Sequence, residues 1–268
     1  MNLGEWIRFF YGITLGTSTP LIDIGARPLR NLEKKSLGNG VTAFIGGACN
    51  CVAIGNNGKN LLINSNMGSA AEEIFQSVTE VSHIVNQKAH MYFSAGNEFY
   101  TDARDIYVGR YPRLRLISVF GDRKVPNHVV SEKTEIDWGQ KIILEPLTSG
   151  MFENNLVVYL PDTKTLMLGD LFYNRVFPIF KMHPNLNVTE WLSVLESVLS
   201  KYQPDNIIPA EGSIGNARDV SAFIDFLRDI SLRGAKTSIL SEKYKWENIA
   251  GLSSLELGIE AFKSDKNA

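Results

Sequence analysis

Strand-forming segments in this chain come in two closely spaced runs, and each run leads into helix-forming segments. In the first run, short β-rich stretches at Val41–Ile45 and at 51–54 are separated by Gly46-Gly47. Asn56-Asn57-Gly58 is a hairpin turn into a third stretch at 61–63. Ala71, Ile74, Val78 and Val81 then recur at helical spacing, so a helix is predicted over 69–81 with Ser69 as its N-cap. Short strands follow at 83–85, 106–108 and 114–119. The second run has strands at 141–144, at Leu156–Leu160 and at 165–168, the last two joined by the turn Pro161-Asp162-Thr163-Lys164. A helix is predicted over 187–202, capped by Asn187, with Trp191, Val194, Leu195, Val198 and Leu199 in one stripe. After a strand end at 207–209, a second helix over 217–233 turns Val220, Phe223, Ile224 and Leu227 inward, and a last helix is read at 254–262. Strands followed by helices, twice, predict an α+β chain: two mixed sheets face to face with helices outside, a four-layer αββα sandwich. Residues 1–30 read as an N-terminal extension, 31–233 as the domain and 234–268 as a C-terminal helical tail.

The formal net charge of -2 gives no electrostatic reason to expect nucleic-acid binding. No run of about 18 apolar residues is present, so no transmembrane segment is expected. The apolar stretch Trp6, Ile7, Phe9, Phe10, Tyr11, Ile13 and Leu15 is preceded by Glu5 and interrupted by Arg8, and no small-residue cleavage site follows. It reads as a short helix that packs on the body, on a protein partner or on a second copy, rather than as a secretory signal. A cytoplasmic location is the corresponding expectation. The two cysteines, Cys49 and Cys51, lie one residue apart; they read as small buried hydrophobes on a core strand, not as a metal or redox pair. Glu33-Lys34-Lys35 reads as a solvated turn.

Histidine is scarce: His83, His90, His128 and His183 are all there are. Around His90 the chain reads His83-Ile84-Val85-Asn86-Gln87-Lys88-Ala89-His90-Met91-Tyr92-Phe93-Ser94-Ala95-Gly96-Asn97. Upstream is the hairpin leading to Leu61-Leu62-Ile63-Asn64-Ser65-Asn66-Met67-Gly68. Downstream are Thr148-Ser149-Gly150-Met151, then Leu168-Gly169-Asp170-Leu171-Phe172, then Ile207-Ile208-Pro209-Ala210-Glu211-Gly212. In this order the segments resemble the metallo-β-lactamase fold superfamily over roughly residues 38–230. The resemblance implies that superfamily's αββα sandwich. It also implies a pocket whose usual ligands are replaced. With Gly96 anchoring the T-H-x-H-x-D-H-x-x-G pattern, Lys88 takes the first His position, His90 keeps the second, Tyr92 replaces Asp and Phe93 replaces the last His. Met151 and Glu211 stand for two further His ligands, Asn64 stands for an Asp, and Asp170 keeps the bridging carboxylate.

A lysine brings positive charge to a place where the resemblance puts a cation, and Tyr, Phe and Met are poor ligands for zinc. A two-metal hydrolytic site is therefore not expected, and no metal or other cofactor is assigned. Asp170 then needs another counter-charge, because an isolated buried carboxylate is expensive. Lys88 is the natural partner, with His90 nearby and Glu211 a further candidate. The expected function is a divergent protein that uses the old cleft for a small-molecule ligand. His90, Asp170, Lys88 and Tyr92 are its candidate catalytic residues for metal-independent acid–base work. Two alternatives stay open: a hydrolase of an ester, thioester or lactam with one atypical metal on His90, Asp170 and Glu211, and a non-catalytic partner subunit. Among the remaining residues, Arg175 is a candidate reader of an anionic substrate. His83 reads as a core or edge histidine, and His128 and His183 as loop residues on the surface.

Overall fold

The computed structural model describes residues 32–111, 125–148, 152–178, 187–231 and 237–248. The apolar N-terminal stretch, the strand expected at 114–119, Met151, His183 and the helix expected at 254–262 lie outside the described residues. In chain order the elements are β1 (Glu33–Gly38), β2 (Val41–Ile45), β3 (Cys51–Asn56), β4 (Lys59–Ile63), α1 (Gly68–Ser77), β5 (Val81–Asn86) and the one-turn α2 (Met91–Ser94). A 3-10 turn (Ala95–Phe99) precedes β6 (Asp105–Gly109), β7 (His128–Val130), β8 (Thr134–Asp137), β9 (Lys141–Pro146) and β10 (Leu156–Leu160). Then come β11 (Thr165–Asn174), β12 (Val176–Phe177), α3 (Val188–Tyr202), β13 (Asn206–Gly212), α4 (Ala217–Ser231), α5 (Thr237–Tyr244) and β14 (Glu247–Asn248).

β1 to β7 form one sheet in sequence order, and the second sheet has the order β13-β11-β10-β9-β8. β1–β4 pair antiparallel, and β1–β2 and β3–β4 close through two-residue turns, Asn39-Gly40 and Asn57-Gly58, in which all four residues are left-handed. That is the backbone such hairpins require, and it explains why Asn-Gly stands at both. β4, β5, β6 and β7 run parallel.

Alternation along the strands builds two cores. Leu61, Ile63 and Val85 point between the sheets, where they meet Leu144, Leu156, Val158, Met167 and Ile208. Leu62 and Ile84 point the other way, into the cluster that also holds Ile74 of α1, while Leu166 and Leu168 do the same under Trp191, Leu195 and Phe223 of α3 and α4. The result is the expected pair of face-to-face sheets with helices outside.

Several local expectations are corrected. Glu33-Lys34-Lys35 opens edge strand β1, whose alternation is masked because most of its side chains face solvent. α1 starts at Gly68 behind Met67, so Ser69 is inside the helix and does not cap it. Val78 and Val81 continue the apolar spacing, but the helix has ended at Ser77 and Val81 belongs to β5. His128 starts β7 and is not in a loop. Asn187 does cap α3, its side chain accepting from Glu190 N at 3.1 Å.

Candidate functional site

Residues from both sheets gather where β5 ends and β11 passes it. Lys88 follows β5, and its Nζ donates to Asp170 Oδ2 on β11 at 2.5 Å. Only 18% of the lysine side chain and 11% of the aspartate are exposed, so the ion pair is largely withdrawn from water. The other carboxylate oxygen, Asp170 Oδ1, accepts from the Tyr173 hydroxyl at 3.0 Å. Three side chains thus form one chain of polar contacts: ammonium, carboxylate, phenol.

An irregularity in β11 allows this. On a regular strand, residues 170 and 173 would face opposite sides. Here the pairing of β11 with β13 slips twice, between Met167 and Gly169 and again between Gly169 and Tyr173, with Gly169 left-handed at φ +54. Such bulges re-aim side chains. Tyr173 is not among the residues singled out as catalytic from the sequence, which ends this strand at 168, whereas β11 runs on to Asn174.

His90 is the N-cap of α2, where its Nδ1 faces Tyr92 N at 3.4 Å. The Tyr92 ring meets the imidazole edge-on, 4.6 Å between centroids. Both residues are half-buried. Phe93 is buried, and its carbonyl accepts from Ser65 N and from Asn86 Nδ2. Glu211, 6% exposed, stands opposite Tyr173 in the β11–β13 pairing. Asn50 Nδ2 donates to the carbonyls of Pro209 and Gly212 on either side of that glutamate. Cys49 and Cys51 are buried thiols 3.9 Å apart, as expected of small core residues. Burial first, then the Cys51 sulfur and the Glu211 charge, push the Cys49 thiol well above its ordinary range.

Three other residues considered from the sequence are in other contacts. Arg175 is left-handed, its side chain is 73% exposed, and it stands 3.6 Å from Asp219. His83 and His128 both contact the Asp105 carboxylate, at 3.3 and 2.7 Å, across β5, β6 and β7. Burial is the main cause that lowers the His83 pKa, with Asp105 opposing it. Among the described residues, no group of three or more His, Cys, Asp and Glu side chains converges as a metal site would require.

No protein-family model matches the sequence, and no curated protein does. Solved structures do. A metallo-β-lactamase from Pontibacter korlensis superposes with a TM-score of 0.62 at 17% identity, over 74% of this chain and 100% of its own. The chain has the metallo-β-lactamase fold. The metallo-β-lactamase FIM-1 from Pseudomonas aeruginosa, solved in its mono-zinc form, gives 0.60 at 12% identity, over 76% of this chain and 97% of its own. The stereoselective inverting sec-alkylsulfatase Pisa1 from Pseudomonas sp. gives 0.62 at 12% identity, over 87% of this chain and 50% of its own. At such identities the metallo-β-lactamase fold is shared while side-chain chemistry is free to differ. No helix among the described residues is long and apolar enough to cross a membrane.

Proposed function

We propose that this protein uses the cleft of a metallo-β-lactamase fold to bind a small molecule and to move protons on it without a metal ion. The observation that carries the reading is the Lys88 ammonium seated on Asp170 at 2.5 Å. A zinc pair does not suit these residues. Lys88 brings positive charge against the carboxylate that would bridge the ions, and Tyr173 holds that carboxylate's second oxygen. Tyr92 and Phe93 offer no competent zinc donors in the α2 turn.

The arrangement suits acid–base work instead. Asp170 is the proton acceptor. Lys88 is a fixed donor that stabilises negative charge developing on a bound carbonyl or hydroxyl oxygen. Tyr173 keeps the carboxylate oriented through its second oxygen. His90 and Tyr92, half-buried at the start of α2 just beyond Lys88 in the chain, are the further acid–base candidates. Because the pair is neutral overall, the site favours a polar ligand that exchanges hydrogen bonds with it over a strongly charged one.

The test is metal analysis of protein purified without chelator, together with turnover of a chromogenic ester, a thioester and a cephalosporin, each with and without a chelator. The expected outcome is metal well below one ion per chain. Any turnover should resist chelation and disappear in Lys88→Met and Asp170→Asn. Stoichiometric zinc with chelator-sensitive hydrolysis would overturn the reading.

A further inference from the structure

The Lys88–Asp170 pair joins the two sheets, and the residue just before Lys88 makes the stronger connection between them. Gln87 is 2% exposed and every polar group on it is engaged. Its backbone N donates to Asn64 Oδ1 at 3.0 Å, and its side-chain Oε1 accepts from Asn64 Nδ2 at 2.9 Å. Its Nε2 donates to the carbonyls of Leu156 and Met167, both at 3.0 Å, on β10 and β11. Its own carbonyl accepts from Leu156 N at 2.7 Å. Asn64 is 1% exposed, and its Nδ2 also reaches the Asn50 carbonyl at 3.2 Å. It is left-handed at φ 58, a conformation asparagine tolerates better than most residues.

We propose that Asn64 and Gln87 form a clasp that positions Lys88 on Asp170, so that both are positioning residues for the site; this rests on the reading of that ion pair given above. The clasp grips the chain one residue before Lys88 and three residues before Asp170. It therefore sets the distance between the two charged residues. Gly169 belongs to the same device: it sits against the Gln87 amide and is left-handed at φ +54, a backbone that a side chain would strain, at the bulge that aims Asp170. Apolar side chains would bury as well between these sheets, but they could not fix β11 against the β5 loop to hydrogen-bond precision. In some proteins buried polar groups are kept because they specify position where apolar packing would not.

The experiment is trace acetylation of the whole folded protein with isotopic acetic anhydride, reading the rate at Lys88 against the exposed Lys141 and Lys164 in each sample. In the unsubstituted protein Lys88, 18% exposed and seated on Asp170 at 2.5 Å, is expected to react at least about tenfold more slowly than those two. Asn64→Asp removes the amide donor to Gln87 Oε1 and sets a carboxylate against it; Gln87→Leu removes the grip on β10 and β11. Both should raise the Lys88 rate severalfold while Lys141 and Lys164 stay constant. Leu160→Ala, a buried truncation at the far end of β10, should lower stability and leave the Lys88 rate alone. Should Gln87→Leu fail to fold, Asn64→Asp decides. A Lys88 rate unchanged in the folded clasp variants, or rising in step with all lysines, would overturn the clasp. A Lys88 that reacts like a surface lysine in the unsubstituted protein would instead overturn the ion-pair reading itself.

Discussion

A double-mutant cycle on Lys88 and Asp170 measures what holds the site together. Lys88→Met keeps most of the length of the side chain and removes its charge, leaving a carboxylate 11% exposed without that cation. Breaking one side of a buried pair in this way destabilises by about 3–5 kcal/mol. Asp170→Asn strands the ammonium and frees one hydrogen-bond position, and it should fall in the same range. At about 4 Å between charge centres and an effective dielectric of about 20, the attraction is about 4 kcal/mol. Residual exposure trims it, so the coupling energy should be about 2–4 kcal/mol, with the double variant much less damaged than the sum of the singles. Urea unfolding at neutral pH, extrapolated to water, gives all four stabilities. A repeat at high salt should leave most of the coupling in place, because the pair is shielded from mobile ions. Additivity to within about 0.5 kcal/mol would refute the pairing.

Tyr100 is 5% exposed and its hydroxyl has no hydrogen-bond partner among the described residues, so Tyr100→Phe should stabilise by about 1 kcal/mol, raising Tm by a few degrees in calorimetry; a clear loss of stability would show that the hydroxyl is engaged. Burial acts to raise the Glu145 pKa, but the hydrogen bonds from Lys201 and Tyr202 outweigh it and the value lies below the ordinary 4.5. Its stabilisation is thus present in full above about pH 4.5 and is lost as pH falls through the depressed value; the stability gap between the native protein and Glu145→Gln should close on that acid limb and stay constant at neutral pH. Buried Cys49 should resist iodoacetamide in the folded protein at mildly alkaline pH and react fully only after unfolding, as read by mass spectrometry. Asn187→Ala should cost about 1 kcal/mol by removing the cap of α3.

Much of this fold is written in local pattern. Leu61, Leu62 and Ile63 alternate cleanly between the two cores, and the Asn57-Gly58 turn fixes the register of the hairpin that carries them. Gly96 anchored the family pattern for a reason visible in space: a Cβ there would come within 2.2 Å of the Ser65 carbonyl oxygen. With that register, Lys88 and Asp170 could be matched on charge alone. Tyr173 could not, because the apolar pattern ends at 168 while β11 continues through two slips to Asn174. Nor could Asn64 and Gln87, since amides leave no periodic trace and their partners are mostly backbone carbonyls far away in sequence. β1 was lost for the opposite reason: an exposed edge strand has little apolar pattern to read.

The seam between the sheets at the site runs through Asn50, Asn64 and Gln87, and beside it Asn86, Asn97 and the Ser65 hydroxyl tie the end of β5 to the 3-10 turn. None of these groups gains or loses a proton anywhere between acid and alkali. The frame around the Lys88–Asp170 contact is therefore built of hydrogen bonds that acidity does not alter, so the geometry offered to that contact is the same in acid as in alkali.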